Sequence, residues 1–229
     1  MRKIGIIGGL SAESSIEYYK ILVKEYNKIK GGASSPLLII DSLDLEAVTN
    51  HVAKGEWDKV QQIILQSARN LESAGSEVII IATNTMHKVF YEVEEKIDVP
   101  MISIIETTAE SIQSRGFKKI GLLGTIYTMQ SDFYHKVLLK YNIETIVPSQ
   151  EDQEIINKVI FDELTYHILT AESKKKYQDV IERLHKKGAE GVILGCTEIP
   201  LLIKQEDSPI PVFDTTTIHA MATLKFALK

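Results

Sequence analysis

The single cysteine of the chain, Cys196, stands in the phrase GAEGVILGCTEIP (188–200), and nearly the same phrase occurs earlier as GSEVIIIATNTMH (75–87) with Thr83 in the cysteine's place. Thr83 follows Gly75 by eight residues, as Cys196 follows Gly188, so the two phrases are in register. A thiol and a hydroxyl at matching positions differ greatly as proton-transfer groups. Free cysteine titrates near ~8.5, whereas a threonine hydroxyl is far too weak an acid to rest as an alkoxide. Cys196 is therefore the candidate base of the two. One cysteine forms no internal disulfide and no cysteine-rich metal site, which leaves an inert buried thiol or a reactive one. The polar setting GCTE and a helix opening at TEIP favour the reactive reading, because backbone N–H groups and a positive helix end stabilise thiolate.

Around these two positions Asn84, Thr85 and Thr197 supply amide, hydroxyl and backbone donors suited to a carboxylate or an oxyanion. Such clusters are also ordinary helix caps, and both readings stay open. The turn GIIGGLSAES (5–14) is glycine-rich but lacks the G-x-G-x-x-G spacing of a dinucleotide site, so it reads instead as a tight turn presenting Ser11. LLGTIYTMQS (122–131) offers Thr125 and Thr128 in the matching place, again as site residues or caps. The six histidines, at 51, 87, 135, 167, 185 and 219, show no metal-ligand spacing. His87, four residues after Thr83, divides between a place near the site and a surface helix position, with the surface slightly favoured.

The elements that must position these residues alternate in type. Short β-branched runs predict strands at 3–7, 37–40, 77–82, 101–104, 119–123, 144–147, 191–194 and 212–213, and segments of helical period lie between them. This is the pattern of parallel strands joined by helical crossovers. A second echo pairs RKIGIIGGLSAES from Arg2 with KKIGLLGTIYTMQS from Lys118. Gly121 lies 116 residues after Gly5 and Cys196 lies 113 after Thr83, an offset repeated closely enough to predict two similar half-chains. The expected fold is α/β with two pseudo-symmetric lobes, each a parallel sheet flanked by helices: lobe 1 from 1–100 plus 208–229, lobe 2 from 101–207. Ligands of such sheets sit beyond the carboxyl ends of the strands. Lobes facing each other would bring Thr83 and Cys196 together across a cleft.

Composition narrows the function classes. The 229 residues carry 26 basic and 31 acidic side chains, a net charge of −5, so there is no basic excess for nucleic acid. No apolar stretch approaches the roughly 18 residues of a membrane span, and a cytoplasmic protein without membrane partners is expected.

The motifs GGLSAES, ATNTMH, GLLGT and GVILGCTEIP, in this order and at these separations, resemble the aspartate/glutamate racemase family over essentially the whole chain. That resemblance implies a cofactor-independent and metal-free enzyme, commonly a homodimer, in which two cysteines on opposite faces of an amino acid alternate as base and acid. The second cysteine of the family matches Cys196, and the first matches Thr83, a departure that is similar to a subgroup with a threonine and cysteine pair acting on L-aspartate or L-glutamate. The resemblance further implies that Asn84 and Thr85 bind the α-carboxylate, with Ser11 lining the pocket and Thr197 beside the cysteine; the expected substrate-binding set is Leu10, Ser11, Asn84, Thr85, Thr125, Thr128, Thr197 and Glu198. Relatives that take acidic substrates place basic side chains in segments matching LEAVTNHVAK (45–54) and ELTYHILT (163–170), where this chain has only His51, Lys54 and His167. A neutral side chain such as that of homoserine, or broad specificity, is thus left open. So are two alternatives to racemisation: a one-base decarboxylase or isomerase of the same superfamily, and a non-catalytic amino-acid-binding protein.

Overall fold

The computed structural model describes all residues from Met1 to Lys229 and divides into two units, Met1–Ile104 with Thr216–Lys229, and Ile105–Thr215. In chain order the strands are β1 (Ile4–Gly8), β2 (Leu38–Ser42), β3 (Val78–Ile81), β4 (Met101–Ile102), β5 (Lys119–Leu123), β6 (Glu144–Ile146), β7 (Gly191–Leu194) and β8 (Val212–Asp214). The helices are α1 (Ala12–Lys30), α2 (Leu45–Ala53), α3 (Trp57–Ser73), α4 (Phe90–Glu94), α5 (Ile104–Ser114), α6 (Ile126–Gln130), α7 (Asp132–Lys140), α8 (Gln150–Asp162), α9 (Ala171–Lys186), α10 (Ile199–Leu202) and α11 (Thr215–Ala227).

Each unit holds one four-stranded parallel sheet, ordered β2-β1-β3-β4 in the first and β6-β5-β7-β8 in the second. The fold is α/β, and the order of strands repeats between units as the doubled sequence phrases require. The predicted strand at 101–104 is cut to two residues because Ile104 opens α5. Unit boundaries differ from those read in the sequence. β4 pairs with β3 and so belongs to the first unit, while β8 pairs with β7 and so keeps residues up to Thr215 in the second.

Both faces of the first sheet are covered at its centre, which explains why β1 and β3 are fully buried and carry no polar side chain, whereas the edge strand β2 ends in Asp41 and Ser42. Ile7, Ile79 and Ile81 face a cluster with Val60, Ile64 and Leu71, whereas Ile4, Ile6, Val78 and Ile80 face Tyr18, Leu22, Ala220 and Leu224. In the second unit Leu123, Val192 and Leu194 pack against Ile156, Ile160, Tyr177 and Ile181.

The turn after β1 depends on one glycine. Gly9 adopts φ +73, and a Cβ there would lie 2.0 Å from the Leu43 carbonyl oxygen. The Leu43 N–H bonds to the Gly8 carbonyl at 2.9 Å, so the two turns are seated together by this close approach. Gly9→Ala is expected to lower unfolding stability by about 3 kcal/mol or more, from backbone strain plus the clash. Urea denaturation checks it, and an unchanged midpoint would show that the turn yields.

Candidate active site

In the first sheet Ile79 lies opposite Gly5, and in the second Val192 lies opposite Gly121. Thr83 is four residues beyond Ile79 and Cys196 is four beyond Val192, so the two occupy the same position, just past the carboxyl end of a central strand. Beside Thr83 the topology brings the turn with Leu10 and Ser11; beside Cys196 it brings the turn with Thr125. The two turns differ in length: Ser11 is six residues after Gly5, whereas Thr125 is four after Gly121.

The polar residues divide in role. Ser11 caps α1, accepting from the Ser14 N–H at 3.2 Å, and Thr125 caps α6, accepting from the Thr128 N–H at 3.3 Å. Their hydroxyls are thus placed by the helices they start, and Thr125 and Thr128 lie 3.2 Å apart through their oxygens. Leu10 packs in the apolar core with Ile7 and Met86, so what it offers a ligand is backbone. Asn84 is 2 % exposed and makes no side-chain cap bond, although it begins a short 3-10 turn, Thr85–Val89.

His87 is 2 % exposed, which corrects the expectation of a surface position. Its Nδ1 lies 2.8 Å from the Thr83 carbonyl oxygen and its Nε2 accepts from the Ile104 N–H at 3.0 Å. The bond from Ile104 fixes the tautomer: Nδ1 carries the hydrogen and donates to Thr83. A second buried imidazole, His219, donates from Nε2 to the Ile102 carbonyl at 2.8 Å and accepts at Nδ1 from the Tyr18 hydroxyl at 2.7 Å. Burial lowers the His87 pKa to about 3, with His219 adding to the shift, and burial lowers His219 to about 4. Both are neutral braces rather than acid–base groups.

These shifts carry a consequence for acid stability. The native state refuses a proton that the unfolded chain, titrating near ~6.5, accepts. The contribution is therefore fully present above pH ~6.5 and is lost as pH falls toward the folded values, at about 1.4 kcal/mol per pH unit for each histidine. Denaturant unfolding at pH 7 and pH 5 is expected to differ by a few kcal/mol; equal stabilities would contradict buried neutral histidines.

Cys196 is partly buried against the core of its unit. Its Sγ donates to Glu198 Oε2 at 3.0 Å, and the Thr197 hydroxyl donates to the same oxygen at 3.0 Å. Glu198 is 3 % exposed. Desolvation, then the Glu198 charge and hydrogen bond, push the thiol well above its ordinary range, outweighing help from the backbone N–H groups of Thr197 and Glu198. The expectation of a resting thiolate is thereby corrected. The following helix, α10, is only four residues long, and the adjacent carboxylate dominates it. Ser14 and Tyr18 were not singled out in the sequence, and His219 was noted there only for its lack of metal-ligand spacing. Ser14 sits in a visible serine pair after the turn, whereas Tyr18 and His219 are 201 residues apart and nothing local links them.

Each unit is thus a four-stranded parallel α/β sheet with helices between its strands, and the two sheets repeat the same strand order. The family model for Asp/Glu/Hydantoin racemase matches residues 7–223, and the chain belongs to that family, an isomerase by class. It is 26% identical over 225 residues to a protein of Bacillus subtilis (strain 168) named broad specificity amino-acid racemase RacX, covering 96% of each chain. A crystal structure of a candidate Asp/Glu racemase from Yersinia pestis matches with TM-score 0.93 at 41% identity, covering 100% of both chains. An aspartate racemase homologue from Pyrococcus horikoshii OT3 matches with TM-score 0.87 at 40% identity, again over 100% of both. No helix is long and apolar enough to cross a membrane, and no group of three histidine, cysteine or acidic side chains is arranged to hold a metal ion.

Proposed function

We propose that the protein is a cofactor-independent amino-acid racemase in which Cys196 and Thr83 serve opposite faces of one α-carbon. The observation that carries this reading is their equivalent register, four residues past paired positions in two repeated sheets. The resting thiol is protonated, and Glu198 Oε2 is the atom already holding its hydrogen. Once the substrate's ammonium group offsets the Glu198 charge that holds the thiol protonated, the thiol releases its proton to solvent and the thiolate removes the α-proton. Asn84, Thr85 and Thr197 donate to the substrate carboxylate as negative charge develops on it. A proton from the Thr83 side, through its hydroxyl or a water held by it, reaches the opposite face, and solvent restores that group.

The substrate side chain is best read as neutral or variable. His51, one of three basic candidates for a distal carboxylate, has its Nδ1 at 2.6 Å from Glu56 Oε2, while Lys54 and His167 are exposed. The broad specificity in the name of the Bacillus subtilis relative agrees with this. Chiral chromatography over the proteinogenic amino acids and homoserine, without added cofactor, should show inversion of at least one. Tight binding of an amino acid without inversion would instead support a binding protein, and carbon dioxide from a malonate-type acid would support the one-base alternative. A homodimer in the cytoplasm, free of nucleic-acid and membrane partners, completes the proposal. Sedimentation of the purified protein tests the assembly.

A further inference from the structure

We infer that His87 and Ser14 are positioning residues for proton delivery by Thr83, holding the two peptide carbonyls that flank it; this rests on the racemase reading above. The Ser14 hydroxyl donates to the Ala82 carbonyl at 2.5 Å, and His87 Nδ1 donates to the Thr83 carbonyl at 2.8 Å. The Ala82 N–H is in turn fixed on the Ile7 carbonyl at 2.9 Å.

Local helix geometry explains why a side chain is needed. Past the strand, the 3-10 turn sends the His87 N–H to the Asn84 carbonyl at 3.0 Å, where a regular α-turn would have sent it to Thr83. The imidazole meets that carbonyl instead. Its own orientation is set by the Ile104 N–H on Nε2, by a ring stack on Phe90 at 5.1 Å and 7°, and by the edge of His219 at 6.0 Å. Ser14 is 1 % exposed and Ile104 fully buried, so solvent does not compete for these bonds. The peptide that sets the direction of the Thr83 side chain is thus held from α1, from β1 and from the start of α5. A weak acid such as threonine delivers a proton only if distance and direction are right, and an error of about 1 Å costs up to about 10²-fold.

The two nitrogens of His87 can be tested apart. Asn at 87 places a donor near the Nδ1 position and loses the Ile104 bond; Gln places an acceptor near the Nε2 position and loses the Thr83 bond. The enantiomer whose α-proton faces Cys196, the one that still exchanges with solvent in Thr83→Ala, is incubated in D2O with wild type, His87→Asn and His87→Gln, and two quantities are read: deuterium in unreacted substrate and deuterium in inverted product. Deuterium enters unreacted substrate when Cys196 takes the α-proton, exchanges S–H for S–D with solvent, and returns deuterium to the same face. His87→Gln should raise the ratio of exchange without inversion to inversion by about tenfold or more, while His87→Asn stays within about twofold of wild type. Equal ratios in both variants, whether shifted or not, overturn the inference, because a merely structural histidine would not separate them. Should either variant fail to fold, Ser14→Ala carries the same test through the Ala82 carbonyl, with a shift in the same direction expected and no shift overturning the inference. Absence of deuterium from both substrate and product with wild type would instead remove the racemase reading.

Discussion

Cys196→Ala is expected to reduce inversion by at least about 10³-fold in kcat, corresponding to about 4 kcal/mol of lost transition-state stabilisation. The size follows from the absence of any substitute. The nearest titratable neighbour, Glu198, accepts hydrogen bonds from both Cys196 and Thr197, and its proposed effect on the α-proton runs through the thiol. Removing the sulfur also leaves Glu198 with one donor fewer in a site where it is 3 % exposed, so some loss of stability accompanies the loss of rate. A thermal melt separates the two effects. If Cys196→Ala folds and still inverts substrate, the assignment of the base is wrong.

Substitutions at Thr83 should move activity in opposite directions. Thr83→Cys installs a far more acidic group at the matching position of the repeat, and inversion should rise by about tenfold, provided the extra thiol titrates within the working range. Thr83→Ala should lower inversion by about 10²-fold while leaving solvent exchange at the α-carbon from the Cys196 side largely intact. In both variants the two directions must keep equal kcat/KM, because the equilibrium constant of a racemisation is one. Separate turnover numbers remain free to differ. A Thr83→Ala protein that inverts at the wild-type rate would reduce Thr83 to a bystander.

The sheets were legible because their central strands, such as β1, β3 and β7, are buried along their whole length and therefore read as short apolar runs between helices that end near glycine. Register was legible too, since the doubled phrase counts residues from a fixed glycine. The limits arose where the outcome depends on contacts between distant segments. Residues 101–104 have strand composition, yet only Met101 and Ile102 pair, because Ile104 begins a helix whose first N–H is taken by His87. The unit boundary moved for a related reason: strand pairing, not the helix period, assigns β8 to the second sheet. Residue types put Thr83 and Cys196 just past strand ends, where they lie, but misjudged the electrostatics of the thiol. A helix start read from TEIP suggested a favourable dipole, and the carboxylate of the same tetrapeptide proved the stronger neighbour. The brace at His219 was not legible, since its bond from Tyr18 spans 201 residues, whereas His87 was singled out by its place four residues after Thr83 but its burial was not foreseen.

The central claim is proton transfer on two faces by two different groups, and wild-type protein in D2O tests it most directly. Early in the reaction, starting from each enantiomer in turn, the inverted product should carry deuterium at the α-carbon while the unreacted substrate stays almost free of it. Deuterium appearing equally fast in substrate and product would mean that one group serves both faces, and inversion without any deuterium would mean that no solvent-exchangeable donor takes part; either result would contradict two-sided transfer by Cys196 and Thr83.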